Sequence, residues 1–131
     1  MPEQPPENDG YAYGPVVLDH FQNPRHAGLM RDPDLVGEAG NPACGDRMRL
    51  FLRLSGDRVT DVRFQTFGCS VAIAASSMLT ELVLGRTTSE LARITNRDIV
   101  EGLGGLPEAK ANCSVLAEAA LRSALSGLDH G

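Results

Sequence analysis

Met48-Arg49-Leu50-Phe51-Leu52-Arg53-Leu54, the turn Ser55-Gly56-Asp57, and the run from Val59 to Phe67 decide the fold. In the first run Met48, Leu50, Leu52 and Leu54 alternate with Arg49, Phe51 and Arg53, the period of two expected of a half-exposed strand. In the second, Val62 and Phe64 face one way and Arg63 and Gln65 the other. The two runs predict a β-hairpin. Antiparallel pairing returns the end of the second strand to the start of the first. Cys69, just after the second strand, therefore comes near Cys44 and Asp46, which lie just before the first.

Downstream of Gly68-Cys69 the period becomes helical, with Val71, Ala74, Ala75, Met78, Leu82 and Val83 recurring at three and four and Gly85 as the stop. Cys69 then sits at a strand-to-helix junction, where free N–H groups and the positive end of the helix dipole favour a thiolate. Thr87 with Glu90, and Thr95 with Asp98, fit the capping pattern that opens a helix. Two short helices are expected there, ending near Gly102 to Gly105. Pro107 starts a last helix to about Leu125, with Cys113 in its early turns.

Upstream, Pro15 opens a short helix carrying Val17, Leu18 and Phe21, which ends near Asn23 because Pro24 disfavours a helical predecessor. Arg25 to Gly40 is a connector with at most a short strand near Leu35 to Glu38. Residues 1–10, with three prolines and no apolar periodicity, are expected to be a disordered tail, and residues 11–128 one domain.

Seventeen acidic and twelve basic side chains give a formal net charge of -5, and the basic residues are scattered, which disfavours nucleic-acid binding. Val71 to Leu84 is too short and too interrupted by polar residues to cross a bilayer, which needs ~20 residues. Met1 to Asn8 lacks the basic and apolar regions of a secretory leader. A cytoplasmic setting is expected. Three cysteines, an odd number, do not suggest a disulfide framework in that compartment.

Cys44, Asp46, Cys69 and Cys113 would together make four donors suited to zinc or to the terminal positions of a two-iron cluster. Their spacing is not the paired CxxC of a zinc ribbon. Asp46 reads either as an exchangeable hard ligand or as a turn cap after Gly45. Lys110 reads either as a solvated helix charge or as a cation supporting a thiolate. His20, His26 and His130 read as surface or packing residues. No phosphate loop, nucleophile elbow or HExxH helix is present.

Asp19-His20-Phe21-Gln22-Asn23-Pro24-Arg25, Pro42-Ala43-Cys44-Gly45-Asp46, Phe67-Gly68-Cys69 with Ala72-Ile73-Ala74, Thr80-Glu81, and Cys113-Ser114-Val115-Leu116-Ala117-Glu118 resemble the iron-sulfur cluster assembly scaffolds of the IscU/NifU N-terminal type. The likeness runs in order from about Tyr13 to Leu125. It implies an α+β fold of the IscU/SufE-like kind, a small three-stranded antiparallel sheet packed against several helices, and adds a strand between about Leu35 and Gly40. It also implies that Cys44, Cys69 and Cys113 are the scaffold thiols, that Asp46 keeps a nascent 2Fe-2S cluster labile, and that Cys113 is the first persulfide acceptor, with electrostatic support from Lys110. The implied partners are a cysteine desulfurase, apo iron-sulfur proteins, and an Hsp70-type chaperone docking through Leu106-Pro107-Glu108-Ala109-Lys110. Iron is the implied cargo, with zinc as an occupant of the isolated protein.

Two departures accompany the likeness. Asn112 stands where such scaffolds commonly carry His, so an imidazole donor is lost and the site leans on Asp46. The chaperone segment, usually Leu-Pro-Pro-Val-Lys, matches here only at its ends. Two other readings stand beside the scaffold: a zinc-binding sulfur acceptor that activates a desulfurase, as in SUF-type relatives, and a zinc-stabilised structural module. Those SUF-type relatives usually carry an insertion between the second and third cysteines, which this chain lacks.

Overall fold

The computed structural model describes residues 14–41, 45–106 and 110–130, the side chains of Asn41, Asp129 and His130 excepted. The tail expected over residues 1–10 lies outside them.

The hairpin forms as the alternation predicts. β2 (Asp46–Ser55) pairs antiparallel with β3 (Arg58–Phe67), with Leu50 opposite Phe64 and Leu52 opposite Val62. β1 (Leu35–Asn41) adds antiparallel to the other edge of β2, completing a three-stranded sheet in the order β1-β2-β3. Two details depart from strict alternation. Thr60 is an extra residue between the Leu54–Val59 and Arg53–Asp61 pairs, a bulge that shifts the phase by one. Val59 therefore shares the buried side with Val62 and Phe64. Phe51 lies on the outward face yet is only 6% exposed, placed between Val36 and Arg63 in the register.

One face of the sheet carries the helices. α1 (Pro15–Gln22) ends at Asn23 as expected, and α2 (Ser70–Val83) is followed by Gly85 at φ +84°. α3 (Thr88–Leu91) and α4 (Asn96–Gly102) open with the anticipated capping boxes, the Glu90 and Asp98 carboxylates accepting from the Thr87 and Thr95 N–H groups at 2.9 Å. α5 (Asn112–Ser126) lies along β1. Gly37 makes that approach close: a Cβ there would overlap the Ala120 carbonyl oxygen and lie 2.5 Å from the Ala124 nitrogen. The core between the layers joins Leu50, Leu52, Val62 and Phe64 to Val71, Ala75, Leu79, Leu116, Ala117 and Leu121.

The buried polar groups of α2 hold the N-terminal helix. His20 is 3% exposed; its Nδ1 lies 2.7 Å from Ser77 Oγ and its Nε2 3.3 Å from Glu81. The Arg25 N–H donates to Ser77 Oγ at 2.8 Å, so the Ser77 hydroxyl proton is left for His20 Nδ1, and Nε2–H faces Glu81. His26 Nδ1 lies 2.9 Å from Thr80 Oγ1, and Arg25 pairs with Asp19. These residues of the Asp19–Arg25 and Thr80-Glu81 motifs thus clamp α1 and the following turn to α2. His20 and His26 are packing groups, as their sequence context indicated.

Candidate metal centre

Asp46 does not precede the first strand, as the alternation suggested; it is the first residue of β2. The pair Asn41–Asp46 extends the ladder two residues beyond Met48 and fixes the Asp46 backbone. Its side chain, in a residue 8% exposed, lies against the backbone of Gly68. Cys69 follows Gly68 and is the N-cap of α2. α5 runs from Asn112, which places Cys113 in its first turn; the helix start expected at Pro107 lies outside the described residues. Two helix N-termini and a strand end therefore meet at one point.

Asp46, Cys69 and Cys113 each offer a donor atom there, all within 4.8 Å of one another. The Cys69 and Cys113 sulfurs are 3.6 Å apart. Two thiolates on one tetrahedral ion, each at ~2.3 Å from the metal, stand ~3.7 Å from each other, so the pair is already at ligand spacing. The same three residues were expected from the sequence; Cys44 lies outside the described residues, and so do Pro107, Glu108 and Ala109 of the expected chaperone segment.

The two thiols are not equivalent. Cys69 is half-buried, and its thiol is lowered from 9.0 to about 6, first because the Cys113 S–H donates to it, then because the Ala72 and Val71 N–H groups point at it and Lys110 adds positive charge. Desolvation opposes these. Cys113, 5% exposed, is pushed well above the ordinary thiol range, first by that same hydrogen bond and then by burial and the negative charges of Cys69 and Asp46. One proton leaves the pair readily and the other is held between the sulfurs. Lys110 is the positive charge that favours the thiolate at both sulfurs.

The donor set fits a soft metal with one exchangeable position. Two sulfurs and a carboxylate suit zinc or iron, and Ser70 Oγ, beside Cys69, is buried without a hydrogen-bond partner. The Val71 and Ala72 N–H groups are the free helix-start donors expected at a strand-to-helix junction, whereas the part played by Gly68 was missed.

The family model for the NifU-like N terminal domain matches residues 12–129. The chain is 50% identical over 113 residues to iron-sulfur cluster assembly scaffold protein IscU 1 of Archaeoglobus fulgidus, covering 86% of this chain and 74% of that one. It is 49% identical over 108 residues to IscU of Aquifex aeolicus, covering 81% and 69%. Against the nitrogen fixation protein NifU of Trichormus azollae it is 45% identical over 121 residues and spans 40% of that protein. In structure it is similar to the N-terminal part of a NifU-like protein from Brucella abortus, with a TM-score of 0.72 at 21% identity over 89% of this chain and 94% of that one. Three antiparallel strands with helices on one face agree with these matches: the chain belongs to the NifU-like N-terminal domain family.

Proposed function

We propose that this protein is a scaffold on which an iron-sulfur cluster is assembled and from which it is passed to apoproteins. The observation that carries the reading is the convergence of Asp46, Cys69 and Cys113 within 4.8 Å at two helix N-termini, in a chain half identical to a named scaffold. Cys44, one residue before Gly45, supplies the fourth donor, and the cluster is the cargo. No described helix is long and apolar enough to cross a membrane, and the reactive thiols suit the reducing cytoplasm.

Sulfur arrives as the terminal atom of a persulfide on a cysteine desulfurase. A thiolate of this chain attacks that atom; the new sulfur–sulfur bond forms here, the donor's breaks, and the donor cysteine leaves as a thiolate. Cys113, assigned as first acceptor, holds its proton against Cys69, so it becomes nucleophilic by passing that proton to the Cys69 sulfur 3.6 Å away. Lys110 offsets the negative charge that accumulates. Reduction of the transferred sulfur to sulfide takes electrons from ferrous iron and from an external reductant. Asp46, a harder ligand than the thiolates, holds iron at the position from which the cluster is released. Apo iron-sulfur proteins take the product, and an Hsp70-type chaperone docking at Leu106–Lys110 assists the release.

Anaerobic incubation with a desulfurase, cysteine, ferrous iron and a reductant, followed by addition of an apo-ferredoxin, tests this. A visible chromophore that moves to the ferredoxin is expected. Absence of a transferable chromophore, with desulfurase turnover stimulated by the zinc-loaded protein, would instead establish the sulfur-transfer reading.

A further inference from the structure

Gly68 is the residue just past the end of β3, where Phe67 pairs with Arg47, and it comes beside the Asp46 side chain. It is exposed, and its φ is outside the left-handed region where glycine is favoured. Its conformation does not require glycine here. A Cβ added to Gly68 would meet Asp46 Oδ1 at 2.5 Å, Cγ at 2.8 Å and Cβ at 3.2 Å, and these are its three nearest atoms. Real Cβ atoms essentially never approach within 3.0 Å. The atoms nearest to that position all belong to the Asp46 side chain, whose carboxylate completes the donor cluster.

From this we infer that Gly68 is a positioning residue for Asp46: the missing side chain is the cradle that lets the carboxylate lie across the strand end toward Cys69 and Cys113. The backbone of Asp46 is held by its strand pairing, so a methyl group at position 68 leaves only a swing of the Asp46 side chain away from the sulfurs. Gly68 thereby decides whether the site offers thiolates alone or thiolates with an oxygen donor. The inference rests on the metal-site reading and deepens it, because it names the residue through which the hard ligand is set.

A double-mutant cycle in cobalt(II) binding tests it. Affinity is measured by chelator competition and the ligand set by the sulfur-to-cobalt charge-transfer and d–d bands, for the wild type, Gly68→Ala, Asp46→Ala and the double variant. Gly68→Ala is expected to lower affinity by roughly 10–100-fold, as loss of a group orienting a ligand does, while retaining the charge-transfer bands of the thiolates. In the Asp46→Ala background Gly68→Ala should change little, since only the Cβ at 3.2 Å remains and must give by a few tenths of an ångström. Wild-type affinity and spectra in Gly68→Ala would overturn the inference, as would an equal loss in the Asp46→Ala background. If Gly68→Ala fails to fold, recovery of its circular dichroism in the double variant supports the clash with Asp46, and failure of both overturns it. Cobalt binding is read without cluster assembly, so a wild type that binds cobalt normally but builds no transferable cluster would remove the scaffold reading and leave this one intact.

Discussion

Cys69 Sγ lies 3.6 Å from Cys113 Sγ although 44 positions separate the two residues, and each sulfur sits at the start of a different helix. The N-cap residue Cys69 lies beside the Val71 and Ala72 N–H groups, which lower its thiol, whereas Cys113 is buried against a neighbouring negative charge. The pair therefore stores one ready thiolate and one retained proton.

Alkylation of the metal-free protein with iodoacetamide, mapped by peptide mass, should modify Cys69 first, with a midpoint at about 6, and Cys113 only slowly through neutral pH, because an alkylated Cys69 no longer takes its proton. In Cys113→Ala the S–H donor is gone, and the Cys69 midpoint should move up toward the ordinary value of 9.0. An unchanged midpoint would assign the effect to the helix N–H groups alone.

Asp46→Ala should give a cluster that survives longer in air and transfers more slowly to an apo-ferredoxin, because the exchangeable oxygen ligand is lost. Loss of the chromophore over time and the appearance of holo-ferredoxin measure the two rates. Lifetimes equal to the wild type would deny Asp46 a special part in release.

His20 is held neutral: burial lowers its pKa below 6.5, Arg25 lowers it further, and Glu81 and Asp19 only partly compensate. As pH falls through 6.5 toward the lower folded value, the unfolded chain takes up a proton that the folded chain refuses, so stability falls with acid. Urea unfolding across pH 7.5 to 5.5 should show a shallower pH dependence for His20→Gln than for the wild type. Ser77→Ala, which strands His20 Nδ1 and the Arg25 N–H, should cost about 1–3 kcal/mol at neutral pH.

At Gly37 a Cβ would overlap the backbone of α5 rather than a movable side chain. Gly37→Ala should therefore destabilise the fold by about 3 kcal/mol or more, measured by thermal or urea unfolding. A loss under about 1 kcal/mol would mean that α5 shifts freely along β1.

The legible parts of this fold were those with a local period. Alternation in residues 48–67 revealed the hairpin, and because antiparallel geometry is fixed, it also brought Cys69 to Asp46. Spacing at three and four revealed α2, and Thr-x-x-acid revealed both short helices. The bulge at Thr60 and the burial of Phe51 were not legible, since each depends on neighbouring strands and packing rather than on sequence period. Cys113 was placed only by family likeness, for the packing of α5 against β1 and α2 has no local signature. Gly68 carried no hint that its missing side chain is filled by Asp46.

The most direct measurement is the iron and acid-labile sulfide retained per chain after desulfurase-driven anaerobic reconstitution, comparing the wild type with Cys69→Ser and Cys113→Ser of unchanged circular dichroism. The wild type should retain both elements in equal amounts with a visible chromophore, and each variant should lose most of them. Equal retention by the variants, or none by a folded wild type, would contradict a cluster built on the Asp46–Cys69–Cys113 site.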